Sequence, residues 1–187
     1  MELRLVTTPG NALVFDTGPM RHFAQHGWLG VLKFLAGDRP VLIPESVEAE
    51  IRRQTHDVPE LHQVLDAAWI SVDRSNDLQF LLAFAQYEQR LAVGEVNRGE
   101  CGVLALGKVR KYELVLDDRE ARSVGDADNL QVTATLPLLC QAIREGLLTV
   151  PLVEALADDL IAGEYHLPFS AGGFRTWALQ EAAIDPD

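Results

Sequence analysis

Cysteine is scarce in this chain, with only two among 187 residues. Cys101 and Cys140 each lie within an apolar pattern of helical spacing. Neither belongs to a CxxC pair, and no combination of cysteine and histidine has the spacing of a zinc site. We therefore predict two buried free thiols in a reducing compartment rather than a disulfide bond.

The sequence also lacks any apolar run of 18 residues, so it predicts no membrane-spanning helix. Residues 1–10 lack the charged start and the apolar run of a signal peptide. Together these absences favour a cytoplasmic protein that does not contact a membrane.

Positive charge is in deficit, because 16 lysines and arginines face 28 aspartates and glutamates, for a net charge of −12. Proteins that bind nucleic acid mainly by neutralising phosphates usually carry a basic surface. The total therefore argues against tight, non-specific DNA binding. It remains compatible with a nuclease, since metal sites themselves concentrate carboxylates, and it leaves room for a basic protein partner.

Several motifs of well-known enzyme classes are missing. The sequence has no P-loop, no GxGxxG after a strand and no GxSxG. Its five histidines are scattered and form no zinc motif. The acidic side chains are therefore the main candidates for chemistry.

Short apolar runs alternate with stretches of helical spacing along most of the chain. The predicted strands are residues 12–15, 40–43, 69–72, 112–116 and 130–133. Their continuous hydrophobicity is typical of strands that are covered on both faces, as in parallel sheets. The alternation predicts an α/β fold with a mostly parallel sheet.

The stretch from residue 97 to residue 122 organises the rest of the chain. Glu100 opens an apolar helical run, which leads into a predicted strand that ends at Asp117 and Asp118. In open parallel sheets, ligands bind outside the carboxyl ends of the strands. We therefore predict that Glu100 and the two adjacent aspartates help to build a divalent-metal site.

Asp117 and Asp118 repel each other and lose solvation after a buried strand, and a divalent cation relieves both costs. The alternative is that one of them pairs with Arg119 or Arg122 while the other caps the following helix. Asp16 also follows an apolar run, and it fits equally well as a helix cap or as a metal ligand.

Other acids have simpler interpretations. Glu45 and Glu48 suit the solvated, acidic first turn of a helix, whereas Glu50 lies beside its buried stripe. Asp126 and Asp128 are predicted to be solvated loop residues. A site built from oxygen ligands alone favours Mg²⁺ or Mn²⁺ over zinc, and such ions typically serve phosphate chemistry.

Four motifs occur in a fixed order: FDTGP at 15–19, IPESVEAEI at 43–51, RGE at 98–100 and LDDREAR at 116–122. Together they resemble the PIN domain, specifically the VapC-like branch of toxin–antitoxin type with RGE and DDRxAR motifs. The similarity covers roughly residues 12–150. It implies a Rossmann-like three-layer sandwich with a central, mostly parallel five-stranded sheet and helices on both faces.

The resemblance implies a Mg²⁺- or Mn²⁺-dependent endoribonuclease that acts as the toxin of a toxin–antitoxin pair. The catalytic, metal-binding acids of the family correspond to Asp16, Glu50, Glu100 and Asp118, and Asp117 is a further metal ligand beside them. The register of the motifs favours Glu50 over Glu48 and Asp118 over Asp117, and both choices stay open.

The expected partners are an RNA substrate, a cognate antitoxin that places a basic residue near the acids, and a second copy of the chain in a homodimer. Residues 1–150 form the predicted nuclease domain, and residues 151–187 form a helical extension packed on it. A local basic rim for RNA is predicted from Arg52, Arg53, Lys108, Arg110, Lys111, Arg119 and Arg122. The alternative function is a catalytically silent interaction module of the same fold, whose acids do not converge.

Overall fold

The computed structural model describes residues 10–91 and 96–185. Its centre is a five-stranded, all-parallel sheet with the strand order β3-β2-β1-β4-β5. The strands are β1 (Leu13–Phe15), β2 (Val41–Pro44), β3 (Ile70–Asp73), β4 (Glu113–Val115) and β5 (Val132–Thr133). Each lies where a short apolar run predicts it, so the α/β prediction is confirmed.

Helices surround the sheet and complete a three-layer fold. They are α1 (Thr17–Gln25), α2 (Leu29–Ala36), α3 (Glu45–Gln54), α4 (His62–Asp66), α5 (Leu78–Leu91), α6 (Arg98–Arg110), α7 (Arg119–Ala127), α8 (Thr135–Arg144), α9 (Val150–Ala162) and α10 (Phe174–Gln180). A short 3₁₀ turn (Pro59–Leu61) precedes α4.

The buried core explains why β1 lies at the centre of the sheet. All three residues of β1 are fully buried, and it pairs with β2 on one side and β4 on the other. Helix α6 is buried on nearly all sides from Cys101 to Gly107, as its uniformly apolar or small residues predict. Cys101 and Cys140 are both buried and free, as predicted.

Gly125 lies inside a helix, although glycine commonly ends one, and α7 continues through it to Ala127. A Cβ at Gly125 would lie 2.5 Å from Cγ2 of Val132 and 3.2 Å from Cδ2 of Leu104. The glycine therefore allows α7 to pack closely against β5 and α6.

The segment after residue 150 packs against the earlier part of the chain. Val153, Leu156 and Leu160 of α9 are buried, and the indole N–H of Trp28 donates a hydrogen bond to Asp159 at 2.8 Å. No helix in residues 10–91 and 96–185 is long and apolar enough to cross a membrane.

Candidate active site at the carboxyl ends of the strands

Asp16 leaves β1 directly and caps α1, where its side chain accepts from the N–H of Gly18 at 3.5 Å. Only 5% of Asp16 is exposed, and its Oδ1 atom is buried without a hydrogen-bond partner. Burial, followed by the nearby charges of Glu100 and Glu50, raises the pKa of Asp16 well above its ordinary value. Asp16 is therefore a helix cap that also presents an unpartnered carboxylate oxygen to other acids.

Glu50 joins the starts of two helices. The backbone N–H of Gly99, in α6, donates to its Oε1 at 2.8 Å. The hydroxyl of Thr17, in α1, donates to its Oε2 at 2.5 Å. Both contacts fix the position of the Glu50 carboxylate beside Asp16.

Gly99 lies where these two acids approach each other. A Cβ on this residue would lie 2.6 Å from Oε2 of Glu50 and 3.0 Å from Oδ1 of Asp16. The two carboxylates therefore crowd against one Cα atom, and only glycine leaves room for both of them.

Glu100 follows in the first turn of α6 and is half-buried. Burial raises the pKa of its carboxyl group, and the charges of Glu50 and Asp118 raise it further. Asp118 is exposed and caps α7, where its Oδ1 accepts from the N–H of Ala121 at 2.7 Å. Charge interactions therefore link the four predicted acids: Asp16 with Glu50 and Glu100, and Glu100 with Glu50 and Asp118.

The donor set suits a hard divalent cation, because every side-chain donor is a carboxylate or hydroxyl oxygen. The buried, unpartnered Oδ1 of Asp16 supports this fit. As the side chains stand, however, no group of three or more histidine, cysteine, aspartate or glutamate residues in the described part of the chain could hold a metal ion.

The side chain of Glu48 binds two arginines rather than joining the four acids. It is buried, and it pairs with Arg52 and Arg74, each at 2.8 Å. Burial pushes its pKa upward, but the hydrogen bonds from the two arginines outweigh this effect and hold the pKa below its ordinary value. The expectation of a solvated Glu48 is therefore wrong, because the residue shares the buried face of α3 with Val47 and Ile51.

Asp117, the further predicted ligand, uses both carboxylate oxygens in protein hydrogen bonds. Its Oδ1 accepts from the N–H of Thr135 at 2.8 Å, and its Oδ2 accepts from the Thr135 hydroxyl at 2.7 Å and from the hydroxyl of Tyr165. Burial and then the charge of Asp117 raise the pKa of Tyr165. These contacts tie the end of β4 to α8 and to the segment after α9.

The sequence interpretation missed Tyr165, since nothing in its local pattern distinguishes it and it lies 48 residues from Asp117. It also expected that Arg122 could pair with one of the aspartates. In the structure the guanidinium of Arg122 donates to the backbone carbonyls of Leu116 and Asp117, at 3.1 and 2.6 Å. The loop that carries Asp118 is thus held by its backbone.

The predicted basic rim is partly neutralised. Lys108 lies 3.8 Å from Asp128, and Arg110 pairs with Asp77. Asp128 also accepts from the hydroxyl of Tyr87 at 2.8 Å and from Arg90 at 3.0 Å, so it is not the solvated loop acid that was expected. Lys108 and Arg110 therefore pair with neighbouring carboxylates of the protein.

The fold and site define an α/β protein with a parallel sheet and a cluster of four carboxylates beside the ends of β1 and β4. The model of the family DUF3368, described as a PIN domain, matches residues 12–171. The chain belongs to this PIN-domain family. The matched region extends past residue 150 and includes Tyr165.

PIN domains are generally nucleases that act on phosphodiester bonds with the help of divalent metal ions. No curated protein and no solved structure gives a significant match to the chain. The family match therefore establishes the class of protein.

Proposed function

We propose that this protein is a Mg²⁺- or Mn²⁺-dependent endoribonuclease. The observation that carries the proposal is the packing of Asp16 and Glu50 against the bare Cα of Gly99. The charges of Glu50 and Asp118 act on Glu100, which completes the group of acids. Crowding carboxylates in this way costs free energy, and a divalent cation offsets that cost.

The proposed ligands are Asp16, Glu50, Glu100 and Asp118. These four residues would hold the cation, which would supply a water molecule of lowered pKa and offset the charge that builds on the phosphate oxygens. The protein holds its own groups in place: Gly99 and Thr17 fix the carboxylate of Glu50. Asp117 stands outside this proposed set, since both of its oxygens already accept hydrogen bonds.

Purified protein should cleave RNA in Mn²⁺ or Mg²⁺, and EDTA should stop the reaction. The double variant Glu100→Gln, Asp118→Asn removes two proposed ligands and should lower the rate roughly 1,000-fold or more. The assay uses a mixed set of structured and single-stranded RNAs, with DNA of the same sequences for comparison.

The matched control is Glu120→Gln, because Glu120 is an exposed acid on α7 outside the cluster. It should cleave like the wild type. Cleavage that persists in the double variant would point to a contaminant or to a different site. If the wild type neither cleaves RNA nor binds Mn²⁺ in calorimetry, the chain is instead a catalytically silent interaction module.

Substitutions of Asp117 and Asp118 should differ in their effects on thermal stability and on Mn²⁺ binding. Asp117→Asn weakens charge-assisted hydrogen bonds and should lower the free energy of unfolding by about 2 kcal/mol, roughly 4–8 °C in Tm. Asp118→Asn should keep the wild-type Tm, since asparagine is an equally good helix cap, but should lose Mn²⁺ binding. Thermal melts and calorimetry on both variants check this, and the reverse pattern would make Asp117 the ligand.

We also propose that the protein is the toxin of a toxin–antitoxin pair and forms a homodimer. The net charge of −12 and the coupled carboxylates favour a basic antitoxin partner. Leu78 and Leu82 of α5 are 70% and 56% exposed, which supports a protein contact on this helix. Light scattering of the purified protein, with and without a basic peptide, tests the dimer and the partner.

A further inference from the structure

A cavity of about 370 Å³ lies between α3, the start of α5 and the first residue of α6. Small-ligand sites typically have roughly 300–1,000 Å³, so the cavity is large enough for one small organic group. Its lining includes Ala49, Arg53, Asn76, Phe80, Phe84 and Arg98. It thus combines two aromatic rings, two guanidinium groups and an amide.

The aromatic wall is suited to a flat ring. Phe80 and Phe84 are partly exposed, and their ring centroids lie 6.0 Å apart at an interplanar angle of 37°. The guanidinium of Arg98 lies over the Phe84 ring, 5.6 Å from its centroid, and its Nε pairs with Glu88 at 3.2 Å. Nucleobases stack on such phenylalanine rings and on arginine planes.

The cavity and the carboxylate cluster share the same helices. Ala49 directly precedes Glu50 on α3, and Arg53 follows Ala49 by one helical turn. Arg98 directly precedes Gly99, whose N–H binds Glu50. A nucleotide chain with one phosphate at the acids would therefore place a neighbouring nucleotide beside the cavity.

Charged side chains of both signs line the cavity. Glu45 lines the cavity and pairs at 3.0 Å with Arg74, which also pairs with Glu48. Asp73 also lines it and accepts a backbone N–H at 2.8 Å. Arg53 and Arg98 bring two positive charges to the lining, against the two negative charges of Glu45 and Asp73, so the lining as a whole carries no net charge.

We infer that this cavity is a subsite for one unpaired nucleotide that adjoins the scissile phosphodiester. The inference rests on the proposed nuclease function and assigns the base of that nucleotide to the rings of Phe80 and Phe84. A base within a duplex is stacked and paired, so it cannot reach Phe80 or Phe84 without leaving the helix.

Photo-crosslinking tests the subsite directly. Short single-stranded RNAs that carry 5-iodouridine at successive positions are bound to the Glu100→Gln, Asp118→Asn variant, which keeps them intact. After irradiation, mass spectrometry should locate crosslinks on α5 at Phe80 or Phe84, for one or two positions of the label. Crosslinks confined to other elements would overturn the inference.

Affinity provides the second measurement, in the same cleavage-deficient background. Phe84→Leu keeps an apolar side chain but removes the stacking ring, and it should weaken single-strand binding roughly 5- to 100-fold. Phe34→Ala is the matched control, because Phe34 is 49% exposed on α2 and does not line the cavity. A duplex of the same sequence should bind at least several-fold more weakly.

The remaining outcomes are distinct. Unchanged RNA affinity in Phe84→Leu, or equal affinity for the duplex, would overturn the subsite. A loss of self-association in sedimentation with no change in RNA affinity would make this face a protein interface, which also overturns it. If wild-type protein fails to cleave but the label still crosslinks to α5, nucleotide binding at the cavity stands and the proposed nuclease activity fails.

Discussion

Substitution of Asp16 by asparagine is expected to abolish metal-dependent cleavage while stabilising the metal-free protein. The carboxylate is buried, one of its oxygens has no hydrogen-bond partner, and Glu100 and Glu50 lie nearby. Asparagine removes the charge but keeps the shape and the helix cap. The gain should be about 1–2 kcal/mol, which corresponds to a rise of roughly 2–8 °C in Tm at pH 8.

The gain in stability of Asp16→Asn over the wild type should increase with pH. The folded protein raises the pKa of Asp16, so it binds that proton more readily than the unfolded chain does. Proton binding by the Asp16 carboxyl group therefore contributes its full amount to stability below the pKa of this group in the unfolded chain, at about pH 4. This contribution is lost as the pH rises through the raised pKa of Asp16 in the folded protein. The Tm difference between Asp16→Asn and wild type should be near zero at pH 4 and largest at pH 8.

Thermal melts in EDTA between pH 4 and pH 8 check this expectation. Glu120→Gln should show no comparable trend, since that residue is exposed and lies outside the cluster. Mn²⁺ should raise the Tm of the wild type but not of Asp16→Asn, because a ligand stabilises only the state that binds it. A variant that is less stable than wild type at pH 8 would mean that the carboxylate at Asp16 contributes to folding.

Much of the fold follows from local sequence signals. Each strand is a continuous apolar run, because a parallel sheet between two helical layers needs apolar residues on both faces. Asp16 follows such a run directly and Asp118 lies two residues after one, so their position near the carboxyl edge could be predicted from the chain alone. The residues alone indicated Glu100 and the two adjacent aspartates among the 28 acidic residues, whereas the complete set of four acids came from the resemblance to the PIN motifs.

The contacts that distinguish neighbouring acids are long-range, and no local pattern encodes them. Glu48 and Glu50 are two residues apart on α3. One of the two arginines that pair with Glu48 is Arg74, which lies beyond β3. The contact between Asp117 and Tyr165 spans 48 residues. Such pairings depend on how the elements pack, which is why the register of the motifs left both choices open.

Gly99 shows how packing turns a backbone position into part of the site. Gly99→Ala is expected to lower RNA cleavage about 100-fold and to weaken Mn²⁺ binding, although it changes no acid. The new Cβ would lie 2.6 Å from Oε2 of Glu50 and 3.0 Å from Oδ1 of Asp16. Displacing groups in a reacting site by about 1 Å typically costs roughly 100-fold in rate, and overpacking costs about 1–3 kcal/mol in stability.

The control is Gly30→Ala, since Gly30 lies on α2 and a Cβ there meets no atom within 4 Å. It should leave cleavage unchanged and raise stability by about 0.5–1 kcal/mol, because alanine is the better helix former. Cleavage and Mn²⁺ calorimetry are measured on both variants at a temperature where each is folded. Wild-type activity and wild-type metal affinity in Gly99→Ala would show that Asp16 and Glu50 need not approach this closely, and the proposed metal site would have to lie elsewhere.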